Sequence, residues 1–303
     1  LAPKAGFWIA ETGSLHLAYA DDEYAVHQEF AALAPDLGYQ VTLFDADAVL
    51  TRSRAVRPDN LKGGLWSPTE LCVDPREAIA ALPSYLERAH GVSLRFATPV
   101  HHIDLPRIHT PRDTWTVERA IVCSGADFES LYPDIYADSG LTRCKLQMLR
   151  TAPQPDDWRL GPMLAGGLTL RHYTAFKECQ SLAASARRIT AEHPEFDDWG
   201  IHLMASQNGR GEITIGDSHE YGWSIDPFDK PEIDRWILDY LQTFLAAPSL
   251  HIAQRWHGIY AKHPDRADFI ADPAPGVKIV NGVSGAGMTT AFGLAEEVFA
   301  AWE

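Results

Sequence analysis

The closing segment, residues 277–302, limits the choice of fold more than any other. It reads VKIVNGVSGAGMTTAFGLAEEVFAAW: an apolar run rich in β-branched residues, a glycine cluster from Gly282 to Thr289, then a helical stretch. Strand, glycine turn and helix in that order belong to α/β architecture. Glycines at such a turn let the backbone approach a ligand closely, and N–H groups at a helix start donate to an anion or an electron-rich ring edge. An ordinary tight turn has the same composition. The position is unusual for a dinucleotide fingerprint, which opens its βαβ unit rather than closing a chain.

The same grammar recurs upstream. GSLHLAYA and YQVTLFD read as strands around a helix over Glu23–Leu33 that Pro35 stops, and Asp74 can cap a helix that accepts Pro75 in its first turn and ends at Gly91. VSLRFATPVHHID predicts one or two strands, and Ala120–Cys123 a buried strand entering the turn Ser124-Gly125-Ala126. In the middle, LTRCKLQMLRT, GLTLRHYTAF and GEITIGDS read as strands, with helices over Cys179–Thr190 and Asp229–Leu245, where Ile233, Trp236, Ile237, Tyr240, Leu241 and Phe244 share one face. No internal repeat or long linker separates these parts, which points to interwoven domains.

Composition narrows the functions. At 303 residues the chain has enough material for a sizeable core, and 26 Lys+Arg against 41 Asp+Glu give a net charge of -15, which disfavours a nucleic-acid-coating role. Cys72, Cys123, Cys144 and Cys179 are spread out with no CxxC pair, so neither a zinc ribbon nor a dense disulfide scaffold is expected, and a reducing cytoplasm fits. His101-His102 and His219-Glu220 lack supporting ligands at recognised spacing, so no metal is assigned. Gly282-Val283-Ser284-Gly285 lacks the GxSxG spacing of a hydrolase nucleophile, and no stretch is long and apolar enough to read as a membrane span.

The order of motifs resembles the D-amino-acid oxidase-like (DAO) family of FAD-dependent oxidoreductases, which includes glycine and sarcosine oxidases. GGLWSPTELCVDP, AIVCSGADF, WHGIYAKHPD and NGVSGAGMTTAFGLAE carry the resemblance over nearly the whole length. AGFWIAETGSLHLAYADDE, LTRCKLQMLRT and LRHYTAF look most like a bacterial group associated with phosphonate breakdown. The resemblance implies an α/β fold in which a Rossmann-like FAD-binding domain (65–140 and 256–303) is interwoven with a mostly antiparallel α+β substrate domain (1–64 and 141–255). It places Val100, Ser124 and Gly125 toward the adenosine and pyrophosphate end of FAD, and Gly258, Ile259, Tyr260, Gly282, Ser284, Gly285, Gly287, Met288 and Thr289 along the flavin ring. Gly258 stands where covalent sarcosine oxidases carry cysteine, so FAD is expected to be noncovalent. Thr214 stands where those oxidases carry the lysine that assists oxygen reduction, which leaves oxygen or another electron acceptor open.

The departure is at the front. The family opens with strand, GxGxxG and helix, and nothing before Gly6 supplies them, so the chain resembles a member without that segment. Two functions follow as expectations. One is FAD-dependent oxidation of a small anionic amine or amino acid, an aminoalkylphosphonate or a glycine-like carboxylate, by loss of hydride from the α-carbon to flavin N5 and hydrolysis of the imine. The other is a flavin-free chain that binds a small anion at most. On the substrate side, Arg171 can clamp a carboxylate or phosphonate through paired hydrogen bonds, with Gln147 and Lys262 as further substrate contacts and His172, Tyr173 and Tyr260 as catalytic candidates. A surface strand with its aromatic packed inward is the plain reading of the same Arg171-His172-Tyr173 run.

Overall fold

The computed structural model describes residues 1–155 and 157–302. They form two compact units: residues 1–93, 146–219 and 228–257 in the first, residues 94–145, 220–227 and the part from Gly258 onward in the second.

The first unit is built on a largely antiparallel sheet. The second half of Thr142–Thr151 pairs with Ile213–Gly216, which continues through Met204–Gln207, Met163–Ala165, Ser14–Ala18 and Gly63–Ser67 to Thr42–Asp45. Met163–Ala165 alongside Ser14–Ala18 is parallel, and the other pairs along that path are antiparallel. Leu15, Leu149, Leu164, Ile213 and Ile215 pack with Ile233, Ile237, Leu241 and Phe244 of the helix Pro231–Phe244, one face of which is apolar at helical spacing. A second cluster sets Val26 and Phe30 of the helix Asp21–Leu33 against Leu65, Leu170 and Phe176.

The second unit carries the parallel pairing expected of α/β grammar. Val277–Asn281 lies parallel to Ala120–Val122 and antiparallel to Phe269–Ala274, and the helix Gly287–Ala300 follows. Phe128, Tyr136, Leu141, Phe269 and Ile279 make its core. A small antiparallel sheet of His102–Asp104, Arg107–His109 and Thr114–Thr116 completes it.

Three expectations change. GLTLRHYTAF is not a strand: Gly167–Arg171 and Thr174–Glu178 are 3-10 turns, because Thr169 Oγ1 donates to the carbonyl of Leu203 and all of 167–170 is buried, leaving no free edge to pair. Of VSLRFATPVHHID only His102–Asp104 is strand. Residues 65–93 group with the first unit rather than with 94–140, since Asp74 and Glu77 bind Asn208 and Arg210 while Arg76 binds Glu212. The helix Pro75–His90 runs unbroken through Pro83. No helix among the described residues is long and apolar enough to cross a membrane.

Candidate functional site

In the second unit the glycine turns after the two parallel strands are tied together. Asn281, the last residue of Val277–Asn281, donates through Nδ2 to the Gly125 carbonyl at 2.9 Å and to Tyr136 Oη at 3.1 Å, and its Oδ1 accepts from Gly282 N at 2.7 Å. Ser124 Oγ lies 2.8 Å from the same tyrosine hydroxyl. The turns Ser124-Gly125 and Gly282 therefore sit side by side beyond the carboxyl ends of neighbouring parallel strands, where open α/β sheets bind ligands. Both glycines need positive φ, +60° at Gly125 and +68° at Gly282, and a Cβ on Gly282 would come within 2.8 Å of Leu141.

Beyond Gly282 the chain makes a 3-10 turn over Ser284–Ala286 and enters the helix Gly287–Ala300, whose start has no side-chain cap. Its first N–H groups, around Gly287, Met288 and Thr289, are the donors a helix start leaves without an intrahelical partner. Gly285 lies beside Tyr260, so that a Cβ there would sit 3.6 Å from Oη, and Lys262 bridges to Val283. Gly258, Ile259, Tyr260 and Lys262 share the strand Ile252–Lys262, and Lys262 Nζ lies 3.2 Å from Tyr221 Oη. An uncapped, glycine-lined helix start has the donor chemistry that the electron-rich edge of a ring requires, so these residues suit the ring end of FAD chemically. Val100 is half-buried in the segment leading to His102–Asp104.

Two residues of this unit went unread in the sequence. Asn281 and Tyr136 hold the turns, and a buried asparagine between an apolar strand and a glycine run was the available signal. Lys145 is fully buried and donates to the Asp226 carbonyl at 3.0 Å, with Glu220 at 3.8 Å, whereas the neighbouring Cys144 is an enclosed thiol.

The substrate candidates of the first unit already hold protein partners. Arg171 Nη1 pairs with Asp197 Oδ1 at 2.5 Å. Gln147 donates through Nε2 to the Lys230 carbonyl and Asp234, and its Oε1 accepts from the N–H of Lys230, the residue that precedes Pro231–Phe244. A cavity of about 230 Å³ opens there, lined by Gln147, Asp229, Lys230, Asp234, Arg255 and Trp256. Burial pushes the Asp234 carboxyl up, against the opposing pull of Gln147 and Arg255.

His172 and Tyr173 come to a cluster that the sequence did not announce. The His172 ring stacks on His202 at a centroid distance of 3.8 Å and lies 4.8 Å from His219, with Tyr173 edge-on at 5.3 Å. The Tyr173 hydroxyl donates to Met204 Sδ, and burial, with Asp217 and Glu70 nearby, pushes it up to about 12. Asp217 lies 2.9 Å from His202 Nε2; burial pushes its carboxyl up, but His202, His219 and His172 outweigh that and hold it below the usual range.

Compared with known proteins, residues 3–301 match the family model described as DAO, FAD dependent oxidoreductase. No curated protein matches. Among solved structures, L-proline dehydrogenase from P. horikoshii aligns with a TM-score of 0.69 at 20% identity, covering 96% of this chain and 71% of that one. Glycine oxidase from Geobacillus kaustophilus gives 0.70 at 15%, covering 95% and 70%. L-alpha-glycerophosphate oxidase from Mycoplasma pneumoniae, solved with FAD bound, gives 0.67 at 16%, covering 94% and 71%. At these identities the likeness is one of fold.

Proposed function

The chain belongs to the DAO family of FAD-dependent oxidoreductases, and from that premise we propose that it oxidises a small anionic amine or amino acid. The observation that carries the reading is the uncapped glycine start of the helix Gly287–Ala300, placed beside the tied turns at Gly125 and Gly282. Bound noncovalently there, FAD supplies an acceptor for the hydride that the substrate α-carbon loses. The residues of this chain bind and orient. Ser124, Gly125 and Val100 face the adenosine and pyrophosphate end, while Gly258, Ile259, Gly282, Ser284 and the backbone donors from Gly285 to Thr289 hold the ring end.

In the first unit Arg171 is the candidate for the anionic end of the substrate, with Gln147 as a further contact and Tyr173 and His172 as catalytic candidates; in the second unit the candidates are Lys262 for binding and Tyr260 for catalysis. Because Arg171 is paired with Asp197, capture of a carboxylate or phosphonate requires an exchange of that ion pair for the substrate. Within this chemistry an aminoalkylphosphonate is the narrower reading and a glycine-like carboxylate its competitor. The acceptor that reoxidises the flavin is oxygen or another oxidant.

The test is an anaerobic panel of primary and N-substituted amines carrying a carboxylate or a phosphonate, each mixed with the FAD-loaded protein. Loss of the oxidised-flavin absorbance with anionic amines, and release of the carbonyl product of imine hydrolysis, is expected. Bleaching by hydroxy compounds alone would replace amine oxidation with alcohol oxidation. Arg171→Ala is expected to raise KM several-fold with kcat less affected. A fall in stability with unchanged kinetics would leave Arg171 a purely structural partner of Asp197.

A further inference from the structure

His172, His202 and His219 each offer a ring nitrogen, and these three atoms lie within 4.8 Å of one another. Three segments bring them together. His172 ends the 3-10 turn Gly167–Arg171, His202 precedes the strand Met204–Gln207, and His219 follows Ile213–Gly216. Their backbones are pinned locally: His202 N and Asp217 N exchange hydrogen bonds with each other's carbonyls at 3.2 and 2.9 Å, His219 N donates to Trp199, and His172 N donates to Thr169.

An outer partner sets the tautomer of His219. A carbonyl only accepts, so the 3.0 Å contact between His219 Nδ1 and the Gly200 carbonyl places the proton on Nδ1 and the lone pair on Nε2. His202 Nε2 lies 2.9 Å from Asp217 Oδ1 as an ion-pair contact, and its Nδ1 is an enclosed atom with no hydrogen-bond partner. Imidazoles whose second nitrogen is held by a carboxylate or a backbone carbonyl are the arrangement found behind metal-ligating histidines. His202 and His219 are buried, and His172 is half-buried.

The charge decides between a cation and an anion. Asp217 lies 2.9 Å from His202 and 3.7 Å from His219, so a carboxylate stands among the rings and opposes a phosphate or carboxylate guest. We propose that His202 Nδ1, His219 Nε2 and a ring nitrogen of His172 form a binding site for a borderline divalent cation of the zinc and cobalt class. Neutral imidazoles are the preferred donors of that class, and three of them leave one coordination position for water or a carboxylate.

Cobalt tests this directly and independently of turnover. The chelator-treated chain is titrated with Co2+ alone, then desalted and analysed for metal, with its visible spectrum recorded. One equivalent retained, with the intense d–d bands of a four-coordinate site and displacement by Zn2+, is expected. His172→Ala and His202→Ala should each abolish the bands, and Asp217→Asn should weaken binding by about tenfold or more. Circular dichroism shows whether the buried His202→Ala chain folds; if it does not, His172→Ala carries the comparison. Absence of stoichiometric Co2+, retention unchanged in His172→Ala, or stabilisation of the chain by inorganic phosphate that depends on His172 in place of metal binding would each overturn the proposal.

Discussion

Single side chains carry much of the cost of this fold, and His27 is the sharpest case. It is fully buried on the helix Asp21–Leu33, neither ring nitrogen has a hydrogen-bond partner, and burial, with His16 adding to it, lowers its pKa from 6.5 to about 3. A histidine held neutral in the folded state takes up its proton first in the unfolded one. Stability is therefore complete above about 6.5 and declines as the pH falls toward 3, by roughly 2–3 kcal/mol over the first two pH units below 6.5. Thermal unfolding followed between neutral pH and pH ~4.5 should show that loss together with a comparable one from buried His16, whose pKa burial lowers to about 4, and His27→Leu should remove about half of the total; an identical slope in the variant would place the acid sensitivity elsewhere. Asn281 works the opposite way, since each of its polar atoms is used. Asn281→Ala leaves Tyr136 Oη and the Gly125 carbonyl short of a donor, and about 1–3 kcal/mol of stability should be lost together with FAD affinity. Retained affinity would separate the tied turns from the cofactor.

Elements were legible where their periodicity matched their burial. The helix Pro231–Phe244 shows one apolar face in sequence and buries that face, and Asp74 with Pro75 announces the helix Pro75–His90 from its cap. GLTLRHYTAF misled because Leu168 and Leu170 alternate with polar residues, the pattern of a half-buried strand. Thr169 is buried as well, its hydroxyl spent on a backbone carbonyl, so the alternation had no solvent side. The grouping of 65–93 was equally hidden, because it rests on Asp74, Arg76 and Glu77 meeting Asn208, Arg210 and Glu212 across more than a hundred residues. That seam can be tested at its centre. Asp74 caps the helix, binds Arg76 and accepts from Asn208, and the Arg76 hydrogen bond leads the effects that lower its pKa from 3.8 to about 2. Asp74→Ala should cost about 1–2 kcal/mol in urea unfolding at neutral pH, discounted for the partly exposed arginine. Its contribution is present above about 3.8 and is lost as the pH falls toward 2, so the gap between variant and parent should narrow only in strong acid.

At the scale of the molecule, the order of motifs carried the family, and chain topology carried the rest. The glycine cluster at 282–289 was readable as a ligand-facing turn, yet its tie to Ser124-Gly125 comes from two strands lying parallel with more than a hundred residues between them. The histidine cluster was unreadable for the same reason, since positions 172, 202 and 219 share no spacing rule and meet only when the sheet of the first unit forms. The central claim is that this chain is an FAD-dependent oxidoreductase whose ring-end contacts lie at the glycine turns of the second unit. The most direct measurement is the visible spectrum of the purified chain after incubation with FAD and desalting, with flavin counted per chain. Near-stoichiometric oxidised flavin, sharply reduced by Gly282→Ala, is the predicted result. A folded chain that emerges free of flavin after saturation, or one whose retention ignores Gly282→Ala, would contradict it.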